Sequence, residues 1–335
     1  MPQPTEQSPQ RIRRGGRTYR VIDELRVRGR RYSVLDHLGN RHRPRLLLDD
    51  PATQQLRVAL ILPNESPTIQ HLHVLRRLPP MAELPQILDY QRRGDETIII
   101  LQWLQGIDLG QYLQRIQQQK VAAPMPCQVV RLVRGLGHGL RQLHLHAQVI
   151  HGDLKPQNLL ITRKPSRLGM IDFGSAWTTE QARYRLEGDG LSPIYAAPEL
   201  LSDSPRINTQ ADQFSATLIL YQLLTGTIPF SSLGGQAGRP GYREEFDGTL
   251  VPPSTLAASE HRLPPAIWKK LDALVLRGLQ FDPDERFPHT SAWLDAPDDI
   301  FFQMEVARRE PPPPPGAWQR FLDRLTNSIF GEPTT

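Results

Sequence analysis

The sequence has 335 residues, of which 39% are hydrophobic, enough to form one large domain or two lobes with a sizeable core. The net charge is +5, but only 11–20 and 26–31 come close to the clusters of basic and aromatic residues that nucleic-acid binding requires, so we do not expect that function. The longest apolar run, 216–224, is too short to cross a bilayer. Residues 1–10 lack the apolar segment of a secretion signal. The single cysteine, Cys127, excludes an internal disulfide. We therefore expect a cytoplasmic protein without a transmembrane segment and without a nucleic-acid partner.

The first hundred residues read as a short tail followed by β-structure. Residues 1–18 are rich in Gln, Pro and Arg and lack hydrophobic periodicity, which predicts a disordered basic tail. A helix is predicted over 68–78. Short apolar segments with turn formers between them predict antiparallel strands near 19–22, 32–35, 45–48, 56–62, 87–90 and 97–101.

The remaining two thirds of the chain is predominantly helical in pattern. Helical periodicity covers 128–144, 214–224 and 267–279, whereas 158–161 and 168–171 are short apolar runs typical of strands. Residues 231–265 are rich in Gly and Pro and predict a loop.

Near the C-terminus, five prolines at 311–315 predict a polyproline II spacer. The apolar stripe that follows, from Trp318 to Ile329, predicts an amphipathic helix. Its apolar face would pack against the chain itself or against a partner. A weak interfacial membrane contact is an alternative, since Arg320 and Arg324 flank the aromatic residues.

Two polar motifs adjoin the pair of short strands at 158–161 and 168–171. His-Gly-Asp-Leu-Lys-Pro-Gln-Asn occupies 151–158, and Ile-Asp-Phe-Gly occupies 171–174. The first resembles the catalytic loop of eukaryotic-type Ser/Thr protein kinases, including bacterial ones, and the second resembles their metal-binding loop. Their order, their spacing and the flanking strands together identify the chain as a member of this family.

The resemblance implies an α+β, two-lobed protein kinase fold. The small lobe, 19–101, would be an antiparallel sheet with one helix, and the large lobe, 102–300, would be mainly helical. Residues 301–335 would form the proline spacer and the C-terminal helix. The family also implies ATP and Mg²⁺ as cofactors and a protein as the substrate.

The resemblance assigns the chemistry to four residues of the two motifs. Asp153 would orient the substrate hydroxyl and accept its proton, and Lys155 would neutralise the transferred phosphoryl group. Asn158 and Asp172 would hold Mg²⁺. The nucleotide would be bound by the backbone of Gln102 and Leu104, by Ala59 and Leu160 on either side of the adenine, and by Gly39 in what remains of the glycine-rich loop.

The predicted small lobe departs from the family at the phosphate-binding positions. Arg41 and Pro44 occupy the second and third glycine positions, and proline has no N–H group to donate. Ile61 stands where the family has its phosphate-binding lysine, and the first lysine of the chain is Lys120. His71 takes the place of the glutamate that pairs with that lysine, so neither charge would be left without a partner.

Several residues of the predicted large lobe match the scaffold of the family. Ser192 falls where Ser/Thr kinases have a threonine that contacts the catalytic Asp and Lys. Glu199 would pair with Arg286, and Asp212 would support the catalytic loop. Gly152 replaces the arginine that in many kinases binds a phosphate of the activation segment, so we expect activity without phosphorylation of that segment.

Two functions are compatible with this pattern. The first is a slow or specialised Mg-ATP-dependent Ser/Thr protein kinase, which we favour because all four motif residues are present. The alternative is a non-catalytic pseudokinase that senses nucleotide or docks a protein, because the phosphate-binding lysine is missing.

Overall fold

In the computed structural model, the chain forms two compact units. The first contains the described residues of 10–76 and 85–103, and the second contains those of 77–84 and 104–307. The structure describes residues 10–38, 45–66, 69, 75–76, 78–162, 167–173, 176–178, 192–202, 208–257 and 263–307. No helix in these ranges is long and apolar enough to cross a membrane.

The first unit is built on a six-stranded antiparallel sheet with the order β3-β4-β5-β6-β8-β7. Alternate side chains of β3, β4, β5, β6 and β8 meet in one apolar cluster, in which Tyr32, Leu48 and Ile100 are almost fully buried. The strands of this unit are β1 (Arg11–Arg14), β2 (Arg17–Arg20), β3 (Asp23–Val27), β4 (Arg30–Leu38), β5 (Arg45–Asp50), β6 (Gln55–Pro63), β7 (Ile87–Arg93) and β8 (Glu96–Gln102).

Residues 11–20 form a β-hairpin of β1 and β2, so the prediction of a disordered tail is wrong for 11–18. Its attachment to the sheet explains why: Arg14 binds the buried Asp49 of β5 through two hydrogen bonds, Nε to Oδ1 at 2.6 Å and Nη2 to Oδ2 at 3.2 Å. The strand predicted at 19–22 is correct only for 19–20, which lie in β2 of this hairpin; residues 21–22 are outside the strands, and the six-stranded sheet begins with β3.

The second unit consists of helices and short β-strands. The strands are β9 (Gly106–Asp108), β10 (Val149–Ile150), β11 (Leu159–Thr162), β12 (Leu168–Met170) and β13 (Trp177–Thr178), which form one sheet of order β12-β11-β9 and one β10-β13 pair. The helices are α1 (Leu109–Gln117), α2 (Pro126–Gln142), α3 (Gln210–Thr225), α4 (Arg243–Phe246), α5 (Pro253–Leu256), α6 (Pro265–Gly278) and α7 (Thr290–Ala307).

Helix α3 lies at the centre of the second unit. All of its residues from 210 to 224 are buried, including the polar Gln210, Asp212 and Gln213. Thr217 of α3 accepts a hydrogen bond of 2.9 Å from Nε1 of the fully buried Trp293 of α7. Gly137 lets α2 approach α7 closely, since a Cβ atom there would lie 2.8 Å from the Trp293 ring.

The observed architecture agrees with the α+β kinase fold expected from the sequence: an antiparallel sheet in one unit and helices in the other. Two details are wrong. The boundary at 301 falls inside α7, which continues because Met304 is buried, and the loop predicted over 231–265 contains α4 and α5. The helix predicted over 68–78 lies largely outside the described residues, and the predicted tail features at 311–315 and 318–329 lie wholly outside them.

Candidate active site

The pairing of β11 with β12 brings the two predicted metal-binding residues to the same end of a sheet. Leu159 opposes Met170 in this antiparallel pair, so Asn158 immediately precedes β11 where Asp172 closely follows β12. The N–H of Ile171 donates to the Asn158 carbonyl at 2.8 Å, which fixes the two loops together. Asp172 has a φ of 68°, an uncommon left-handed backbone for a residue with a side chain and one that concentrates at functional sites.

Asp153 is the centre of a hydrogen-bonded cluster. Its Oδ2 accepts from Lys155 Nζ at 2.7 Å and from Asn158 Nδ2 at 3.0 Å, and its Oδ1 accepts from the Ser192 N–H at 3.2 Å. Lys155 Nζ also donates to Ser192 Oγ at 2.7 Å. The predicted contact of Ser192 with both residues is therefore present. Oδ1, with one long hydrogen bond, is the Asp153 oxygen that can still accept a proton from a ligand.

A buried carboxylate supports the loop that carries Asp153. Asp212 of α3 accepts hydrogen bonds from the backbone N–H groups of His151 at 2.8 Å and Gly152 at 2.9 Å, as predicted. Gly152 has a φ of 72°, a conformation that glycine adopts at no steric cost and that helps to aim both N–H groups at one carboxylate.

His144 also holds Asp212 and is itself held by Thr290, and no sequence pattern indicates either contact. His144 places Nε2 2.7 Å from Asp212 Oδ2, and its Nδ1 lies 2.5 Å from Thr290 Oγ1 at the start of α7. Burial alone would raise the pKa of Asp212, but the hydrogen bonds from His144 and the loop backbone hold the pKa below its ordinary value. The carboxylate is therefore kept ionised.

His151 is fully buried and packs its ring against Phe173, with centroids 5.1 Å apart. Its ring nitrogens make no hydrogen bond of ordinary geometry with the described residues. Burial lowers the pKa of His151, against the nearby carboxylates of Asp212, Asp153 and Asp172, which favour the protonated ring. A neutral, packed ring indicates a structural role for His151.

The predicted ion pair between Glu199 and Arg286 is present and buried. The guanidinium binds both carboxylate oxygens, Nη1 to Oε1 at 2.7 Å and Nη2 to Oε2 at 2.9 Å. Its remaining hydrogen bonds go to the carbonyls of Gln210, Gln280 and Phe281. Because every donor is used, the charge is buried without an unsatisfied N–H group.

The residues predicted to bind nucleotide are placed as follows. Ala59 in β6 is fully buried, and Gln102 ends β8, with its N–H donating to the Gln86 carbonyl at 2.8 Å. In the second unit, Leu104 is buried, and Leu160 in β11 pairs with Gly169 of β12. Gly39 lies outside the described residues.

The positions around the missing lysine are apolar or already bonded. Ile61 in β6 packs against the apolar cluster of the first unit, so its side chain contributes to the core. Arg57, four residues earlier in β6, donates to Thr53 Oγ1 and to the Leu56 carbonyl, both at 3.2 Å. These contacts hold the Arg57 guanidinium at the turn between β5 and β6. Arg41, Arg43 and His71 lie outside the described residues.

Asn158 and Asp172 have the donor chemistry that suits Mg²⁺, which prefers carboxylate and carbonyl oxygens. The Asn158 amide nitrogen is held by the carbonyl and the carboxylate of Asp153, at 2.8 and 3.0 Å, which orients the amide oxygen as the coordinating atom. No cluster of three or more His, Cys, Asp or Glu side chains suited to a metal occurs among the residues that the structure describes. A magnesium ion here would need phosphate or water oxygens to complete its coordination.

Comparison with known proteins agrees with this geometry. The family described as "Protein kinase domain" matches residues 59–295, which is more than half of the chain. The match begins within β6 and includes all residues of the Asp153 cluster.

Among curated proteins, the chain is 29% identical over 238 residues to serine/threonine-protein kinase pkn3 of Myxococcus xanthus, covering 67% of this chain and 40% of that protein. It is 29% identical over 202 residues to PknE of Mycobacterium tuberculosis, covering 60% of this chain and 32% of PknE. It is 28% identical over 205 residues to PknH of Mycobacterium bovis, covering 60% of this chain and 31% of PknH. The chain thus spans about a third to two fifths of the length of these relatives, which are named as serine/threonine-protein kinases. On the match over 59–295, the chain belongs to the protein kinase family.

Proposed function

We propose that this chain is a Mg-ATP-dependent serine/threonine protein kinase. The observation that carries the proposal is the cluster around Asp153, in which Lys155, Asn158 and Ser192 each donate a hydrogen bond to the Asp153 carboxylate. A carboxylate held by three donors and supported from α3 has a fixed orientation, which a positioned general base requires.

In the proposed reaction, a Ser or Thr hydroxyl oxygen of the protein substrate bonds to the γ-phosphorus of ATP, whose bond to ADP breaks. Asp153 orients that hydroxyl and receives its proton at Oδ1. Lys155 supplies positive charge to the phosphoryl oxygens. Ser192 binds both Lys155 and Asp153 and so fixes their relative positions. Asn158 and Asp172 would hold Mg²⁺, which when bound neutralises charge on the phosphates.

The nucleotide would be held weakly by comparison with a kinase that has the usual lysine. An adenine would have to use the Gln102 carbonyl, because the Gln102 N–H is bonded to Gln86. Leu104 would contribute backbone groups, with Ala59, Leu160 and Gly39 as the remaining contacts. Loss of one preorganised charged donor typically costs about 10²–10³ in rate. We therefore expect slow turnover.

The test is transfer of radiolabelled γ-phosphate from ATP to dephosphorylated casein by the full chain. Asp153→Ala should abolish transfer, whereas Asp299→Ala, an equivalent change at an exposed aspartate of α7, should leave it unchanged. Transfer that survives in Asp153→Ala, or that is absent from the unaltered protein, contradicts the proposal.

A binding measurement separates failure of chemistry from failure of nucleotide binding. ATP should raise the unfolding temperature of the wild-type protein only when Mg²⁺ is present, since a ligand of the folded state stabilises it by RT ln(1 + [L]/Kd). Asp172→Ala should remove this increase. A magnesium-dependent increase without any phosphate transfer would favour the pseudokinase alternative.

A further inference from the structure

A cavity of about 520 Å³ opens beside α2 in the second unit, and the kinase chemistry does not use it. It is lined by residues 81–83, by Arg134, His138, Arg141 and Gln142 of α2, and by Arg167 just before β12. All of these residues are described and all belong to the same unit. The basic groups make this cavity chemically distinct from an ordinary surface depression.

The spacing of basic residues along α2 explains one wall. Arg134, His138 and Arg141 recur at intervals of four and three residues, which places them on one face of the helix. Two glycines beside this face let the other wall come close. A Cβ atom at Gly135 would lie 3.0 Å from Cβ of Arg167, and one at Gly139 would lie 2.8 Å from Cβ of Glu83.

Positive charge exceeds negative charge in the lining. Arg167 Nη1 binds Glu83 Oε1 at 3.1 Å, and Arg134 binds Asp298 of α7. Arg141 makes no hydrogen bond or ion pair with the residues that the structure describes. The cavity therefore contains three guanidinium groups, of which one has its full charge available.

His138 lies among these guanidinium groups. Burial lowers its pKa, and the charges of Arg134, Arg141 and Arg167 lower it further, against the carboxylate of Asp298, 3.5 Å from Nε2. A bound anion would offset the arginine charges and so raise the pKa of His138. The imidazole can therefore report on anion binding at this position.

We propose that the cavity is a binding site for a phosphate monoester, borne either by a phosphorylated side chain or by a small molecule. A guanidinium group matches a phosphate with two parallel hydrogen bonds, and Arg141 has no competing partner among the described residues. Arg134 and Arg167 add charge from the two walls, and the cavity has room for the group to which the phosphate is esterified.

The test uses three probes on the full chain: a short phosphoserine peptide, the same peptide without phosphate, and free O-phosphoserine. Affinity is measured by calorimetry, and the His138 imidazole signals are followed by NMR, with His138→Gln to assign them. The phosphoserine peptide, free O-phosphoserine or both should bind and shift the His138 signals, while the unphosphorylated peptide should not. The tighter of the two phosphorylated probes identifies the source of the ester.

Two variants locate the site. Arg141→Gln should weaken binding at least about tenfold, since a hydrogen bond between charged groups is lost. Arg131→Gln is the matched control: it lies on the same helix but outside the cavity, bound to Glu305, and should bind as the wild type does. Both variants should unfold at the wild-type temperature. The proposal is overturned if neither phosphorylated probe shifts His138, if removing the phosphate changes nothing, or if the two variants weaken binding equally.

Discussion

The carboxylate of Asp212 should support the catalytic loop by its charge and by its two acceptor oxygens, and Asp212→Asn tests both. Three donors converge on it: His151 N and His144 Nε2 on Oδ2, and Gly152 N on Oδ1. Asparagine has one acceptor oxygen, so its NH₂ group must face at least one of these donors. One buried N–H loses its partner, which costs about 1–3 kcal/mol, and the remaining bonds are no longer charge-assisted. We expect a loss of about 3 kcal/mol of unfolding free energy.

The measurement is urea unfolding at neutral pH followed by tryptophan fluorescence, since Trp293 is fully buried in the same unit. Asp299→Asn is the matched control, because Asp299 pairs with Lys270 at the surface and such pairs contribute about 0–1 kcal/mol. If Asp212→Asn costs no more than Asp299→Asn, the reasoning about the buried network is refuted. Phosphate transfer should fall together with stability, because the same hydrogen bonds orient the loop that carries Asp153.

Three further predictions concern other contacts. Glu199→Gln should destabilise the fold by about 3–5 kcal/mol in the same unfolding assay, because the charge of Arg286 stays buried without its partner; a loss below about 1 kcal/mol would contradict this. His151→Phe should flatten the decline in stability as pH falls below about 6.5, because the lowered pKa keeps the folded ring neutral where the unfolded ring takes up a proton. His138, also with a lowered pKa, should retain its part of that decline; an unchanged slope of unfolding free energy against pH would exclude the effect of His151. Ser192→Ala should slow phosphate transfer while Ser192→Thr preserves it, since only a hydroxyl can accept from Lys155; equal rates would contradict a positioning role.

Much of the second unit could be predicted from the sequence because its signals are local. The strand pair around the two motifs follows from short apolar runs, and their order suffices to bring Asn158 and Asp172 to one end of the sheet. The hairpin at 11–20 could not be predicted, because its attachment is the pair of Arg14 with Asp49, 35 residues away.

The network around Asp212 and the basic cavity were also missed, for a related reason. His144, just after α2, contacts Asp212 of α3 and Thr290 of α7 only because these elements pack together, and no periodicity in the sequence indicates these contacts. The cavity depends on glycines that let Glu83 and Arg167 approach α2. A sequence motif indicates which residues carry the chemistry. Their hydrogen-bond and packing partners that are remote in the chain can be identified only from the tertiary structure.

The segment 192–202 is held at both of its ends, by Asp153 and Lys155 at Ser192 and by Arg286 at Glu199. Arg286 also donates to the Gln210 carbonyl at the start of α3, so the same side chain holds both the segment and the central helix. Opening of this segment at Glu199 therefore requires the buried ion pair with Arg286 to break, and we expect the segment to open together with the start of α3. Cooperative units of this kind exchange amide hydrogens together. The Ser192 hydroxyl, which accepts a hydrogen bond from Lys155, therefore belongs to a segment whose position depends on a cross-link buried away from Asp153.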